Sequence, residues 1–150
     1  MIVGIIGYGW VGKAQKKLFK DAHVYDKFNH EFQKKLDYYD VAFVCVPTPW
    51  TGSELDASEV ENVIRDTNAG LLIVRSTVPP GFCDKMMKKY KKRIVFQPEY
   101  LGESPSHPLF KMEDRSFMIL GGSQKDRREA INLYATVYNA NVSIRQVSLL

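Results

Sequence analysis

Ile2-Val3-Gly4-Ile5-Ile6-Gly7-Tyr8-Gly9-Trp10-Val11-Gly12 begins with a short β-branched apolar run and ends in three glycines spaced G-x-G-x-x-G. The run over residues 2–6 predicts a strand. Val11, Ala14 and Leu18 recur on one side of the next segment with lysines on the other, which predicts a helix over residues 11–20. A glycine triplet between a strand and a helix has a physical reading. Gly7 permits the tight turn, Gly9 lets a pyrophosphate come against bare backbone, and Gly12 lets the helix pack closely on the strand. The helix start then presents unpaired N–H groups and a partial positive charge to phosphate.

Working outward, residues 23–25 predict a second strand that ends at Asp26, about 20 residues beyond the first glycine. A carboxylate there can accept from both hydroxyls of a ribose and would repel a 2′-phosphate, so NAD is favoured over NADP. Lys27 beside it works against that preference. The bland alternative is that the glycines only permit close packing and Asp26 only caps a turn.

The remaining chain keeps the same alternation. Residues 41–46 (VAFVCV) are apolar on both faces, as befits a strand covered by helices on each side. Pro47-Thr48-Pro49 then ends the ladder. Phe28, Phe32 and Leu36 have the spacing of a short helix, and Asp56 with Glu59 marks a helix start before Val60, Val63 and Ile64. Strands are expected at residues 71–74, 94–96, 117–120 and 142–144, and helices from Pro79-Pro80-Gly81 through Met87 and over residues 124–138. Residues 97–114, with three prolines, form a long loop of the kind that is usually functional. The sum is one domain over residues 1–150, a doubly wound α/β fold with a parallel sheet and helices on both faces.

Composition bounds the function. A chain of 150 residues with 45% hydrophobic and 25% charged residues can build one core without staples, so the two cysteines do not read as a disulfide. No apolar run approaches the roughly 20 residues of a membrane span, and the first residues lack a secretion signal. A cytoplasmic protein with no membrane partner is expected. The net charge of +4 permits anionic ligands without naming one. Lys88-Lys89-Tyr90-Lys91-Lys92-Arg93 closes a predicted helix, where cations suit the dipole. No aromatic-interleaved motif accompanies it, so nucleic acid is not an expected partner. His23, His30 and His107 have no metal-ligand spacing with the cysteines, and no metal is expected.

Four further motifs carry a resemblance. Val44-Cys45-Val46-Pro47-Thr48-Pro49, Leu55-Asp56, Ser76-Thr77-Val78-Pro79-Pro80-Gly81 and Pro98-Glu99-Tyr100-Leu101-Gly102-Glu103-Ser104 stand in the order and approximate spacing of the nucleotide-sugar dehydrogenases. Arg115 and the strand after it match the following segment. The chain resembles the N-terminal, NAD-binding half of that family, closest to its UDP-glucose 6-dehydrogenases, over about residues 2–144. The resemblance implies that Gly7, Tyr8, Gly9, Trp10, Val11, Gly12, Asp26, Lys27, Val46, Pro47, Thr48, Ser76, Thr77 and Glu99 serve the cofactor. It implies that Thr77 holds a catalytic water, that Glu103 assists proton transfer, and that Glu99 positions its loop. Removing hydride from an alcohol requires its proton to leave, and a carboxylate near a threonine hydroxyl is suited to that. On the residues alone the preferred reading is that Ser76 and Thr77 cap the following helix and that the two glutamates are exposed loop charges.

The resemblance also implies what these residues lack. In the family a cysteine in a second domain forms a thiohemiacetal with the sugar. Cys45 lies mid-strand and reads as an inert core thiol; Cys83 stands near a helix start, where its pKa can fall, but not at the family nucleophile's place. A stretch between Asp26 and Val41 that larger members lengthen is crossed here by one short helix. The family's dimer surface would lie beyond Leu150. Two readings follow: the cofactor domain of a nucleotide-sugar dehydrogenase without turnover of its own, or a complete stand-alone binder of NAD or a nucleotide sugar.

Overall fold

Seven strands share one sheet in the computed structural model, which describes residues 1–100, 106, 111, 113–139 and 141–149. In chain order the elements are β1 (Val3–Ile6), α1 (Trp10–Leu18), β2 (His23–Tyr25), β3 (Tyr39–Val44), α2 (Ser58–Asp66), β4 (Ala69–Val74), α3 (Phe82–Tyr90), β5 (Ile94–Phe96), β6 (Phe117–Gly121), α4 (Gln124–Tyr134) and β7 (Ser143–Val147). The strand order is β2-β1-β3-β4-β5-β6-β7. Chain order therefore reverses between β1 and β3. In open α/β sheets the crevice outside the strand ends at such a switch point is where ligands bind.

The doubly wound architecture is as expected, because the interior strands alternate between two apolar layers. Val41 and Phe43 join Ile5, Leu71, Ile73 and Val95 under α1 and α4, against Phe19, Leu133 and Tyr134. Ala42 and Val44 join Leu72, Val74 and Ile94 on the opposite face, under Val60, Ile64 and Met86 of α2 and α3. Burying both faces is what a run such as VAFV demands.

Three expectations need correction. The sheet is parallel from β2 to β5, but β6 runs antiparallel to β5 through a single pairing, Phe96 with Gly121, and β7 is parallel to β6. The helix expected through Phe28, Phe32 and Leu36 is only a three-residue 3-10 turn, His30–Phe32. Local polar groups win there: Asp26 accepts the Phe28 N–H at 2.8 Å and Asn29 accepts that of Glu31 at 3.1 Å, so the donors a helix needs are diverted. Phe28 is left 78% exposed. The last helix stops at Tyr134, short of residue 138.

Most of the basic stretch around α3 is engaged within the fold. Lys88 pairs with Asp84 and Lys89 with Glu61, while the Lys92 ammonium donates to the carbonyls of Ile64, Arg65 and Thr67 at the end of α2. Arg93 pairs with Asp126 and Glu129. Cations that cap a neighbouring helix are placed by its dipole and carbonyls. Among the described residues no helix is long and apolar enough to cross a membrane.

Candidate dinucleotide site

The switch point opens into a cleft of about 650 Å³ between the ends of β1, β2, β3 and β4. Its first wall is the glycine loop. Gly7 has φ of +97°, and a Cβ there would stand 2.7 Å from the Cys45 carbonyl oxygen, so both conformation and space require glycine. Gly12 is not on the cleft surface. It lies beneath it, where a Cβ would come within 2.0 Å of the Gly7 oxygen, so it acts by letting α1 start against β1. Gly9 is the opposite case: a Cβ there would meet nothing within 4 Å. It is also the N-cap of α1 and makes no side-chain cap bond. The first N–H groups of the helix thus face a bare cradle, the arrangement that receives a diphosphate.

Asp26 stands at the tip of β2 and binds the loop to itself. Its Oδ2 accepts the Tyr8 N–H at 2.7 Å and its Oδ1 accepts that of Phe28. A carboxylate has about four lone-pair sites, so two remain for a ligand diol. Turn-capping and ribose-binding are therefore compatible duties of one residue. Tyr8 is propped edge-on against Phe32, with ring centroids 4.6 Å apart, which gives the 3-10 turn its purpose. Lys27 reaches across the mouth to Glu59 at the start of α2, 2.7 Å away.

The other end of the cleft is built from side chains. The Ser76 hydroxyl donates to the Val46 carbonyl at 2.7 Å and ties the end of β4 to the end of β3. Neither Ser76 nor Thr77 caps α3, whose N-cap is Gly81 in the left-handed region without a side-chain bond. Thr77 is exposed to the cleft, and Thr48 half-buried beside it. Glu99 is half-buried, its side chain 9% exposed, rather than an exposed loop charge. One oxygen pairs with Arg75 and the other with Arg115 at 2.8 Å, and Arg75 also donates to the Gln97 carbonyl at 3.1 Å. Tyr134 extends the network, donating to Gln97 Oε1 and accepting from Gln15 of α1. Two buried guanidiniums sharing one carboxylate fix where that carboxylate lies.

Residues 15–140 match the model of the UDP-glucose/GDP-mannose dehydrogenase family, NAD binding domain. The chain belongs to this family.

A UDP-glucose 6-dehydrogenase of Rickettsia conorii is 30% identical over an alignment of 111 residues that covers 67% of this chain and 25% of that protein. A UDP-N-acetyl-D-mannosamine dehydrogenase of Methanocaldococcus jannaschii is 26% identical over 125 residues, 76% of this chain and 29% of its own length. The chain thus spans about a quarter of these relatives. Among solved structures, the UDP-D-ManNAc dehydrogenase of Pyrococcus horikoshii superposes with a TM-score of 0.77 at 23% identity, over 99% of this chain and 47% of that one. The GDP-mannose dehydrogenase of Pseudomonas aeruginosa gives 0.70 at 20% identity over the same shares, 99% and 47%. At such identities the superpositions establish the fold.

As a member of this family's NAD-binding domain, the chain brings nearly every expected cofactor residue together. Gly7, Tyr8, Gly9, Trp10, Val11, Asp26, Lys27, Val46, Pro47, Thr48, Ser76, Thr77 and Glu99 all line the cleft; Gly12 supports it from below. Glu103 and His107 lie outside the described residues. Sequence reading missed Phe28, Asn29, Glu59 and Arg75 as lining residues. Glu59 was hidden inside a helix-start pattern and Phe28 inside a false helical period. Arg75, next to Ser76, had the one available signal: a charge at the end of an apolar strand. Cys83 is corrected too. Burial pushes its thiol up to about 12 rather than down, and Cys45 likewise, so neither is an activated nucleophile. Among the described residues no group of three or more His, Cys, Asp or Glu side chains gathers as a metal site.

Proposed function

We propose that this chain is the cofactor-binding half of an enzyme that oxidises the primary alcohol of a nucleotide sugar, UDP-glucose by the resemblance of its motifs, to a carboxylate with two NAD. The observation that carries the reading is the coincidence, in one cleft, of an uncapped helix start over bare Gly9 with a carboxylate, Asp26, anchored to the same loop. A helix start answers the diphosphate and Asp26 the ribose diol, so the residues present fit NAD. The identity to UDP-glucose 6-dehydrogenase supports the substrate class.

NAD, when bound, supplies the hydride acceptor. The chain's own residues bind and orient. Thr48 and Ser76 edge the cleft at the end away from Asp26, and Thr77 is exposed there, where its hydroxyl would hold a water. Glu99, shared by two arginines, acts by positioning the loop; Glu103 would take the alcohol proton. Carrying the sugar through its second oxidation needs a thiolate, and both described thiols are buried and protonated. On this reading residues 1–150 supply the cofactor domain, and the sulfur nucleophile would come from outside them.

Calorimetry with NAD and ADP-ribose, and NADH absorbance with UDP-glucose present, test this. Saturable binding of both ligands without turnover is expected. Absence of binding would overturn the site, and brisk turnover would overturn the need for an outside thiol.

A further inference from the structure

The cations among the residues lining the cleft are Lys27 and Arg75, and each is matched to a lining carboxylate, Glu59 and Glu99 respectively. The pair at the mouth is the informative one. Lys27 follows Asp26 directly in sequence, and a lysine beside the ribose carboxylate is the group that could neutralise a 2′-phosphate. Among the described ion pairs, however, it is Glu59, from a different element, that holds it, with Nζ 2.7 Å from Oε1. The same ammonium lies 4.9 Å from the centroid of the Phe28 ring. Phe28 is in turn fixed by its N–H bond to Asp26. Lys27 is thus held by an acid opposite and a ring beside it.

We infer that Glu59 is a specificity-determining residue: by occupying Lys27 it leaves the ribose end of the cleft with a net negative charge and so rejects a 2′-phosphorylated dinucleotide. This rests on the dinucleotide reading above and adds to it. Three ionised groups, Asp26, Lys27 and Glu59, stand at that end, and their sum is −1. A 2′-phosphate brings a further −1.5 to −2 or so at neutral pH. Without Glu59 the sum becomes zero and Lys27 is released toward the diol. For charges taken roughly 7 Å apart in a solvent-like dielectric, one unit of charge acting on such a phosphate changes binding by about 4–7-fold. The pyrophosphate is common to NAD and NADP, so the ratio of their dissociation constants cancels everything but this end.

The test is that ratio, measured by calorimetry on the 150-residue chain as wild type, Glu59→Gln, Lys27→Met and the double variant, at low and at 0.5 M salt. Circular dichroism and thermal unfolding accompany each variant. Glu59→Gln is expected to shift the NADP-to-NAD ratio about 4–7-fold toward NADP at low salt. The shift should shrink at high salt, and the double variant, whose charges at that end again sum to −1, should return to the wild-type ratio. A ratio that stays within twofold in folded Glu59→Gln, or a double variant that keeps the shifted ratio instead of returning to that of the wild type, overturns the inference while NAD binding stands. If the wild type binds neither NAD nor ADP-ribose, the dinucleotide reading falls and takes this inference with it.

Discussion

The two ends of the cleft are made of different material. At the phosphate end the contacts are backbone: a left-handed Gly7, a bare Gly9, an uncapped helix start, and one carboxylate that holds two N–H groups. At the far end they are buried side-chain charges, Arg75, Glu99 and Arg115, set in a polar network that reaches Tyr134 and Gln15. Backbone sites tolerate little added volume but carry no charge debt. Charged floors tolerate changes of shape badly for another reason: removing one partner strands the rest in low dielectric. The first end should therefore fail by sterics, and locally, and the second by unfolding.

The largest expected effect is at the floor. Glu99→Ala leaves two guanidiniums without their shared carboxylate and should cost about 3–5 kcal/mol in denaturant unfolding. A loss within about 1 kcal/mol would mean that the floor is not electrostatically closed and that the contrast fails. Next come the glycines, which sharpen it. Gly12→Ala drives a methyl into the Gly7 carbonyl and should lose stability toward the upper end of the about 1–3 kcal/mol typical of overpacking. Gly9→Ala adds a methyl to open space, so stability should stay within about 1 kcal/mol while NAD affinity falls about tenfold. Equal stability losses in the two variants would erase the distinction.

Asp26→Ala should weaken NAD by at least about 1 kcal/mol, since a charged hydrogen bond is lost along with the tie to Tyr8. Unchanged affinity in calorimetry would remove the ribose assignment. The smallest effect near neutrality is in alkali. Cys45 and Cys83 are pushed up to about 12 from the usual 9.0 by burial, so both stay protonated when folded. Their contribution to stability is whole below the unfolded value and is lost as pH rises through about 9 toward about 12. Urea midpoints should fall across that window, and fall less steeply in Cys83→Ala; a flat profile would show the thiols to be accessible.

Much of this site lies within reach of local pattern. Gly7 to Gly12, Asp26 and Ser76-Thr77 sit at strand ends, and strand ends can be read from apolar runs and the turn residues that stop them. Residues 26–36 could not be read that way. Phe28, Phe32 and Leu36 repeat with helical period, yet Asp26 and Asn29 compete for the N–H groups, and periodicity does not register that competition. The reversal of β6 was equally hidden, because it depends on how the chain returns after residue 97 and not on the composition of β6 itself.

From sequence alone came the alternation of strands and helices, the glycine loop and its acid, and the family motifs, because each is written in residues near one another and governed by short-range sterics and hydrogen bonding. Only the folded chain paired Lys27 with Glu59 and set Glu99 between Arg75 and Arg115. Those partners come from different elements, and charges find one another at distances that the packing of the sheet and its helices decides.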